Sequence, residues 1–273
     1  MQEMLTAAVR HLLPAAAVRV LGRVRRRLRR SGHRLRWLAS GRRGVGIGIG
    51  SFAGNRVAYR LHSADALVLG HSFDHDIFLT AVPEYALPED AVVLDVGAHI
   101  GTFSLLAAKQ ARRGRVFALE ASRETFELLS INLVLSRQTN LVAEHLALAG
   151  RNGVVQLHHD PDGNYGHSIT KFLSSTSETV DGVTLERYLD ERGIASVDLA
   201  KFNCEGAEFP ILLSTPTEVL RRIKKAIVLY HCDLVEESAD TLVDHLAAAG
   251  FTTRLTNQTS NRGWIIATRN PPP

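Results

Sequence analysis

Cysteine is scarce in this chain, with two residues among 273, too few for a disulfide framework. Cys204 and Cys232 both fall at the ends of predicted strands. Reduced thiols and a cytoplasmic protein are therefore expected, although neighbouring strands could bring the two sulfur atoms together. No run of eighteen apolar residues occurs, so no membrane-spanning helix is predicted. The apolar stretch 15–21 leads into arginines rather than a cleavage site, so no secretory signal is predicted.

Basic residues are in the minority beyond the first 43 positions. Residues 1–43 hold 12 arginines and one acidic residue, a net charge of +11, whereas the remaining chain holds 20 basic and 27 acidic residues, a net charge of −7. A protein body that binds nucleic acid is normally basic. The acidic body argues against specific nucleic-acid binding, and the basic pI of the whole chain comes from its N-terminal segment.

Residues 1–43 are predicted to form a basic helical extension. Apolar residues recur at helical spacing on one face of the segment 18–38, with arginines around the rest. These apolar residues are Leu21, Val24, Leu28, Leu35 and Leu38. The leucines could pack on the body beneath a solvated arginine face. Alternatively, residues 18–43 could contact an acidic partner or an anionic membrane, which would place the protein peripherally at the inner membrane face.

Residues 44–83 are predicted to form a small β-rich cap. The stretches GVGIGIGSFAGN, VAYRLH and ALVLG are typical of short antiparallel strands and turns. The glycine-rich stretch is not followed by a helix or a suitably placed lysine, so it is not a phosphate-binding loop.

Strands and helices alternate after Pro88, and residues 84–273 are predicted to form one α/β domain. The predicted strands are AVVLDV, RVFALE, NLVAEHLAL, VDLAKFNC, KAIVLYH, FTTRLT and GWIIATR, and the polar stretch 150–178 is interpreted as a loop. This alternation predicts a doubly wound Rossmann-like fold with a mostly parallel sheet and an antiparallel terminal strand. The ligand of such a sheet binds beyond the carboxyl ends of its strands.

The segment VVLDVGAHIGTFSLLA carries the strongest functional signal. A buried strand ends at Asp95, and Gly97 and Gly101 bracket a tight turn into a helix, whose N-terminal N–H groups can face a ligand. The next strand ends at Glu120, 19 residues after Gly101, where an acid can accept hydrogen bonds from ribose hydroxyls.

The spacing of this loop separates two kinds of cofactor. A dinucleotide loop would need glycine at positions 99 and 102, which are His99 and Thr102. The remaining pattern, D-x-G-x-x-x-G, suits S-adenosylmethionine, a nucleoside cofactor without phosphates. Asp95 would either hold the loop or meet the cationic amino-acid end of the cofactor. Packing beside the cofactor is favoured for His99 over contact with substrate.

Four stretches of the sequence resemble the FkbM methyltransferases: VVLDVGAHIGTFSL, VFALEAS, NLVLS with Asn132, and VDLAKFNCEGAEFPIL. The resemblance covers roughly residues 84–235. It implies a class I O-methyltransferase that acts on hydroxyls of sugars, polyketides or other secondary metabolites. It also places Asp95, Gly97 and Gly101 in the cofactor loop and Glu120 at the ribose. The complete predicted cofactor-binding set is Asp95, Gly97, Ala98, His99, Gly101, Glu120 and Ala121.

One position departs from the family pattern K-x-D-x-E-G-x-E. Asn203 stands where the family has aspartate, between Lys201 and Glu205. An asparagine can orient a hydroxyl but cannot take a proton at neutral pH, so no metal is predicted and any base must be a neighbour. Altered or lost activity stays open.

His231 is the first candidate for the base that removes the acceptor proton. It follows the strand AIVLY at the carboxyl edge of the sheet and titrates near neutrality. Glu205 and Glu208 follow the preceding strand and could orient the histidine or bind substrate hydroxyls. A purely structural role for His231 stays open. The predicted catalytic set is His231, Glu205, Glu208 and Asn203.

The stretch HHDPDGNYGHSITK is predicted to bind substrate and to form a lid. Its hydroxyl-recognising residues are Asn164, Tyr165, His167 and Ser168. His158 and His159 are adjacent on a predicted strand and point to opposite faces, so they cannot chelate a metal together.

Three functions are carried forward from the sequence. The first is an O-methyltransferase for a small molecule or glycan. The second is an RNA methyltransferase that uses the arginine-rich segment as its electrostatic grip. The third is a scaffold that binds the cofactor without turnover. The sequence predicts no particular oligomeric state.

Overall fold

The computed structural model describes residues 46–74, 86–160 and 166–269. The predicted helical extension and the predicted domain boundary between residues 83 and 84 lie outside these ranges and stay predictions. The described chain opens with an antiparallel hairpin, β1 (Ile47–Phe52) and β2 (Asn55–Arg60). Helix α1 (Asp65–Leu69) and a π-helical turn (Gly70–Asp74) follow.

A seven-stranded sheet forms the centre of the molecule. Its order is β11 (Phe251–Thr256), β12 (Arg262–Arg269), β10 (Lys225–His231), β9 (Leu199–Phe202), β3 (Val92–Val96), β4 (Arg115–Glu120) and β5 (Leu141–His145). The pairings from β10 to β5 are parallel, and β11 and β12 are antiparallel additions at one edge. The predicted mostly parallel, doubly wound sheet is confirmed.

Helices cover both faces of this sheet. They are α2 (Thr102–Gln110), α3 (Arg123–Ser136), α4 (Leu185–Glu191), α5 (Glu208–Ser214), α6 (Thr217–Leu220) and α7 (Ala239–Ala248). Consecutive strand residues alternate between two cores, as the two-residue period of a strand requires. Val93 joins the core under α2 and α3, whereas Leu94 joins the core under α4, α5 and α7. The near-continuous apolar character of the strands reflects this burial on both faces.

The hairpin packs on the α2–α3 face and shares its core. Val57 and Ala58 of β2 are buried there. Asn132 of α3, itself fully buried, accepts a hydrogen bond from the Ala58 N–H (2.6 Å) and donates one to the Ala58 carbonyl (3.0 Å). The hairpin is thereby joined to the helix that flanks the cofactor loop.

Three local predictions were wrong. ALVLG is helical, with its first four residues in α1 and Gly70 in the π-helical turn; the prediction failed because a short apolar run does not distinguish helix from strand. The predicted strand NLVAEHLAL divides into β5 and β6 (Ala147–Leu148). In the polar stretch 150–178, β7 (Gly153–His158) pairs with β8 (Ser177–Val183), which also pairs with β6 in a second small sheet.

Two predicted features of the chain can be compared with this structure. Among the described residues, no helix is long and apolar enough to cross a membrane. Cys204 and Cys232 are both free thiols.

Candidate active site

The cofactor loop follows β3, which pairs with β9 at the point where the strand order of the sheet reverses. From β3 the chain adds β4 and β5 on one side, and β9 and β10 lie on the other; ligands of such sheets bind at this switch point. Gly97 has a φ of 73°, and a Cβ there would lie 1.9 Å from the carbonyl oxygen of Asn203, so only glycine fits. Gly101, with a φ of 87°, is the N-cap of α2. Both predicted glycines thus adopt left-handed backbone conformations, and Gly97 also allows the loop to approach the Asn203 carbonyl closely.

Asp95 holds this loop from beneath. Its Oδ1 accepts a hydrogen bond from Lys201 Nζ (2.7 Å), and its Oδ2 accepts one from the Ser104 hydroxyl (2.5 Å). Lys201 Nζ also donates to the Gly97 carbonyl (3.1 Å). Asp95 is completely buried, and it does not line the cavity above the loop. Of the two roles predicted for Asp95, this geometry supports the one in which it holds the loop.

The cavity opens at the carboxyl ends of the central strands. Five of the seven predicted cofactor residues line it: Gly97, Ala98, His99, Glu120 and Ala121. Two of the predicted catalytic residues, Asn203 and Glu205, and one predicted substrate residue, His167, line it as well. The tertiary structure therefore brings three separately predicted groups to one cavity.

Glu120 presents its carboxylate at the end of β4. Its Oε1 accepts a hydrogen bond from the Ser122 N–H and its Oε2 accepts one from the His99 N–H, each at 2.8 Å. Burial raises the pKa of Glu120 to about 6, and these two hydrogen bonds and the charges of Arg60 and Lys201 limit the rise. Each oxygen keeps a lone pair that could accept a hydrogen bond from a ribose hydroxyl.

Glu205 lies on the opposite rim, on a left-handed backbone with a φ of 50°. The Ser168 hydroxyl donates to the Glu205 carbonyl (2.7 Å) and helps to hold this conformation. The Glu205 carboxylate lies 3.5 Å from His231 Nε2 and 3.9 Å from Arg262 Nη1. Burial raises the pKa of Glu205, and the nearby His231 and Arg262 do not cancel that rise.

His231 and Glu208 lie behind Glu205 and do not line the cavity. His231 is 1% exposed, and its Nδ1 is 3.1 Å from Glu208 Oε1. Burial alone would lower the pKa of His231, but the hydrogen bond with Glu208 and the charges of Glu208 and Glu205 raise it overall. Glu208 also accepts hydrogen bonds from the N–H groups of Cys204 (2.7 Å) and Gly206 (2.8 Å), which shapes the turn.

The predicted substrate stretch reaches the cavity through His167. Its Nδ1 accepts a hydrogen bond from the Asp160 N–H (2.9 Å). Burial, reinforced by the charges of His159 and Arg60, lowers the pKa of His167 to about 4. The imidazole is therefore neutral near pH 7, with its proton on Nε2. Ser168 is fully buried in its contact with Glu205, and Asn164 and Tyr165 lie outside the described residues.

Sequence reasoning missed contributions from two other parts of the chain. Val68 of α1 and Thr125 of α3 both line the cavity. Arg60, at the end of β2, lies 3.3 Å from Thr125 Oγ1 and 3.2 Å from His99 Nε2. Strand β2 contains two arginines, Arg56 and Arg60, and nothing in the sequence indicates that Arg60 is buried or which loop it contacts.

The chemistry of the cavity fits S-adenosylmethionine. The Asn203 Oδ1 is buried and has no hydrogen-bond partner among the described residues, so it can accept a ligand donor. Glu120 supplies further acceptors, and Phe103, Leu119 and Ile169 supply apolar walls. Acceptors and apolar walls suit a cationic nucleoside with free hydroxyls. Within the described ranges, no group of three or more His, Cys, Asp or Glu side chains is placed to hold a metal ion.

Several curated methyltransferases are similar to this chain. Methyltransferase 1 of Beauveria bassiana is 25% identical over 235 residues, which cover 78% of this chain and 88% of that protein. The hexuronic acid methyltransferase AglP of Haloferax volcanii is 25% identical over 182 residues, 66% of this chain and 72% of that protein.

A third relative is much longer than this chain. The AMB antimetabolite synthetase AmbE of Pseudomonas aeruginosa is 27% identical over 205 residues, which cover 60% of this chain but 10% of AmbE. The FkbM methyltransferase domain matches residues 95–253, more than half of the chain, and this match includes the loop, Glu120, Glu205 and Glu208. The chain therefore belongs to the FkbM methyltransferase family and is an S-adenosylmethionine-dependent methyltransferase.

Proposed function

We propose that this enzyme methylates a hydroxyl group of a sugar, glycan or secondary metabolite, with Glu205 as the general base. The observation that carries the proposal is the position of Glu205. Glu205 follows β9, the strand next to β3 and the cofactor loop; the residue lines the cavity, is 8% exposed, and has a raised pKa. A buried carboxylate with a raised pKa is a more effective proton acceptor than one in water.

S-adenosylmethionine, when bound, supplies a methyl group activated by its sulfonium centre. The chain must hold the acceptor oxygen in line with that methyl group, and alignment alone can provide a large part of the rate acceleration. As the acceptor oxygen formed its bond to the methyl carbon, the carbon–sulfur bond would break to leave S-adenosylhomocysteine, and the hydroxyl proton would pass to the Glu205 carboxylate. The proton then leaves Glu205 for solvent before the next turnover.

In this proposal His231 orients the base and does not itself remove the proton. It is enclosed between Glu205 and Glu208 and does not line the cavity. Its raised pKa favours the protonated imidazole, which attracts both carboxylates and limits the movement of Glu205. Glu208 fixes the histidine from the other side. The base predicted first from the sequence thus becomes a positioning residue.

Asn203 and His167 are proposed to bind the acceptor. The unpartnered Oδ1 of Asn203 can accept a hydrogen bond from a hydroxyl, and the Nε2–H of His167 can donate one. Together they would select a substrate with both donors and acceptors, as polyhydroxylated compounds have. The hexuronic acid named for AglP and the antimetabolite named for AmbE support small molecules or glycans as the acceptor class.

The two other functions remain as outcomes of the test. The net charge of −7 over residues 44–273 disfavours RNA as the acceptor. The intact loop and the cavity carboxylate Glu205 disfavour a scaffold without turnover.

The function is tested by incubating the full chain with methyl-labelled S-adenosylmethionine and a panel of sugars, uronic acids, glycans and hydroxylated metabolites. Label is expected in an alkali-stable methyl ether, with formation of S-adenosylhomocysteine. Alkali-labile label would show methylation of a carboxylate instead, and label in RNA alone would support the nucleic-acid function. Cofactor binding without transfer to any acceptor would support the scaffold.

The ribose role of Glu120 is tested by calorimetric titration with S-adenosylhomocysteine. Glu120→Ala is expected to weaken binding roughly 100-fold, because two hydrogen bonds to a charged acceptor are lost. Glu186→Ala removes an exposed carboxylate of α4 that does not line the cavity, and it should bind within about threefold of wild type. Wild-type affinity should also fall as the pH drops below about 6, where Glu120 takes up a proton. Equal affinities for the two variants would contradict this role.

A further inference from the structure

A buried ion pair connects the N-terminal hairpin to α1. Arg60, at the end of β2, and Asp65, in the first turn of α1, are 2% and 0% exposed. Arg60 Nε lies 3.0 Å from Asp65 Oδ2, and Arg60 Nη2 lies 2.8 Å from Asp65 Oδ1. A buried ion pair is weak support for stability, because the loss of hydration offsets the attraction. Its other contacts therefore matter for its role.

The same guanidinium reaches the cofactor loop. Arg60 Nη2 lies 3.2 Å and Asp65 Oδ1 lies 3.4 Å from His99 Nε2, so the ion pair contacts the imidazole with both of its groups. An unprotonated Nε2 accepts from the guanidinium, which can only donate. His99 has a φ of 54°, a conformation that few residues other than glycine adopt without support. The N–H of that same residue donates to Glu120 Oε2 at 2.8 Å. A chain of contacts thus runs from Arg60 through His99 to Glu120.

A second contact fixes the hairpin to the loop. Asn132 bonds to both backbone groups of Ala58, and its Nδ2 also donates to the Ile100 carbonyl at 2.8 Å. Ile100 follows His99 directly. The loop is therefore held to β2 at two successive residues, His99 and Ile100. Arg60 Nη1 also lies within hydrogen-bond distance of Thr125, which lines the cavity.

We propose that residues 46–74 are part of the cofactor site and that Arg60 is a positioning residue for Glu120, acting through His99. This inference rests on the proposed contact of Glu120 with the cofactor ribose. The hairpin would then have two roles: it packs in the core under α2 and α3, and it is required for recognition of the ribose hydroxyls. Without Arg60, His99 would lose its side-chain anchor, and its N–H would no longer hold the Glu120 carboxylate in one orientation.

The test combines protein variants with a change in the ligand. Binding of S-adenosylhomocysteine is compared with binding of its 2′-deoxyribose analogue, which lacks one hydroxyl. Wild type is expected to prefer the natural ligand roughly 10- to 100-fold, the value of a hydrogen bond to a charged group. The double variant Arg60→Met/Asp65→Leu, which leaves no unpaired buried charge, is expected to reduce this preference to less than about threefold.

A second variant keeps the experiment decisive if the double variant does not fold. His99→Asn removes the imidazole but keeps a residue that tolerates the left-handed conformation, and it should reduce the preference equally. Arg123→Met removes an exposed arginine of α3 and should keep the wild-type preference. A general loss of stability would weaken the binding of both ligands to the same extent and leave the ratio of their dissociation constants unchanged.

Each result separates the two proposals. If wild type binds both ligands equally, the ribose contact of Glu120 is wrong, and the inference about Arg60 falls with it. If wild type prefers the natural ligand, Glu120→Ala loses that preference and the folded Arg60 and His99 variants keep it, the inference is overturned while the ribose contact stands. Loss of the preference in all three supports the inference.

Discussion

Glu205→Gln is expected to lower kcat about 10²- to 10⁴-fold, the usual contribution of a positioned general base. Glutamine keeps the size of the side chain and its place on the cavity wall, but it cannot take up the acceptor proton. S-adenosylhomocysteine should bind within about threefold of wild type, because the proposed cofactor contacts lie around Glu120 on the other side of the cavity. Steady-state kinetics and calorimetric titration on the same preparations measure both quantities.

The pH profile gives this experiment a second readout. Burial raises the pKa of Glu205, so kcat/KM of wild type should fall on the acid side at a higher pH than for a carboxylate in water. That acid limb should be absent from the residual activity of Glu205→Gln. Glu236→Gln serves as the control, since it removes an exposed carboxylate of the loop after β10 that does not line the cavity. A Glu205→Gln enzyme with near wild-type kcat would exclude Glu205 as the base.

Gly97→Ala is expected to destabilise the fold by about 4 kcal/mol or more, the range of severe core defects. The added Cβ would lie 1.9 Å from the Asn203 carbonyl oxygen and 2.8 Å from its carbon. This carbonyl cannot easily retreat, because the Asn203 N–H donates to the Val96 carbonyl (3.1 Å) and ties the end of β9 to β3. The φ of 73° adds the strain of a left-handed alanine.

Gly193→Ala is the matched control for this prediction. Gly193 also has a left-handed φ, 59°, but a Cβ there would meet no atom within 4 Å. Its substitution should cost only about 1–2 kcal/mol, the conformational term alone. Urea unfolding of both variants separates the steric clash from the backbone strain. Equal losses of stability would show that the loop and Asn203 are not in close contact.

Local features of the sequence predicted much of the sheet. The strands β4 and β10 begin and end at the predicted residues, and Ser122 caps α3 by accepting a hydrogen bond from the Thr125 N–H at 3.5 Å. Apolar runs, cap residues and glycine spacing act over a few residues, so they can be recognised in sequence. The same is true of the cofactor loop, whose glycines and terminal acid come from one βαβ unit.

The predictions failed where local signals were short or ambiguous. Five residues of ALVLG could not distinguish α1 from a strand, and the polar composition of residues 150–178 concealed β7 and part of β8. Strand β7 is mostly exposed along its length, so it lacks the apolar pattern that marks a buried strand. Its pairing with β8 depends on the backbone of a distant segment.

The sequence alone determined the fold class, the cofactor loop and the rim on which the catalytic candidates lie, because these follow from patterns within single βα units. Only the tertiary structure decided which side chains face the cavity. Position at a strand end predicted both Glu205 and His231, but packing directed Glu205 to the cavity and enclosed His231 behind it. Arg60 meets His99 across 39 residues and Asn132 meets Ala58 across 74. Contacts at such separations arise from the packing of whole elements, which no local period of the sequence records.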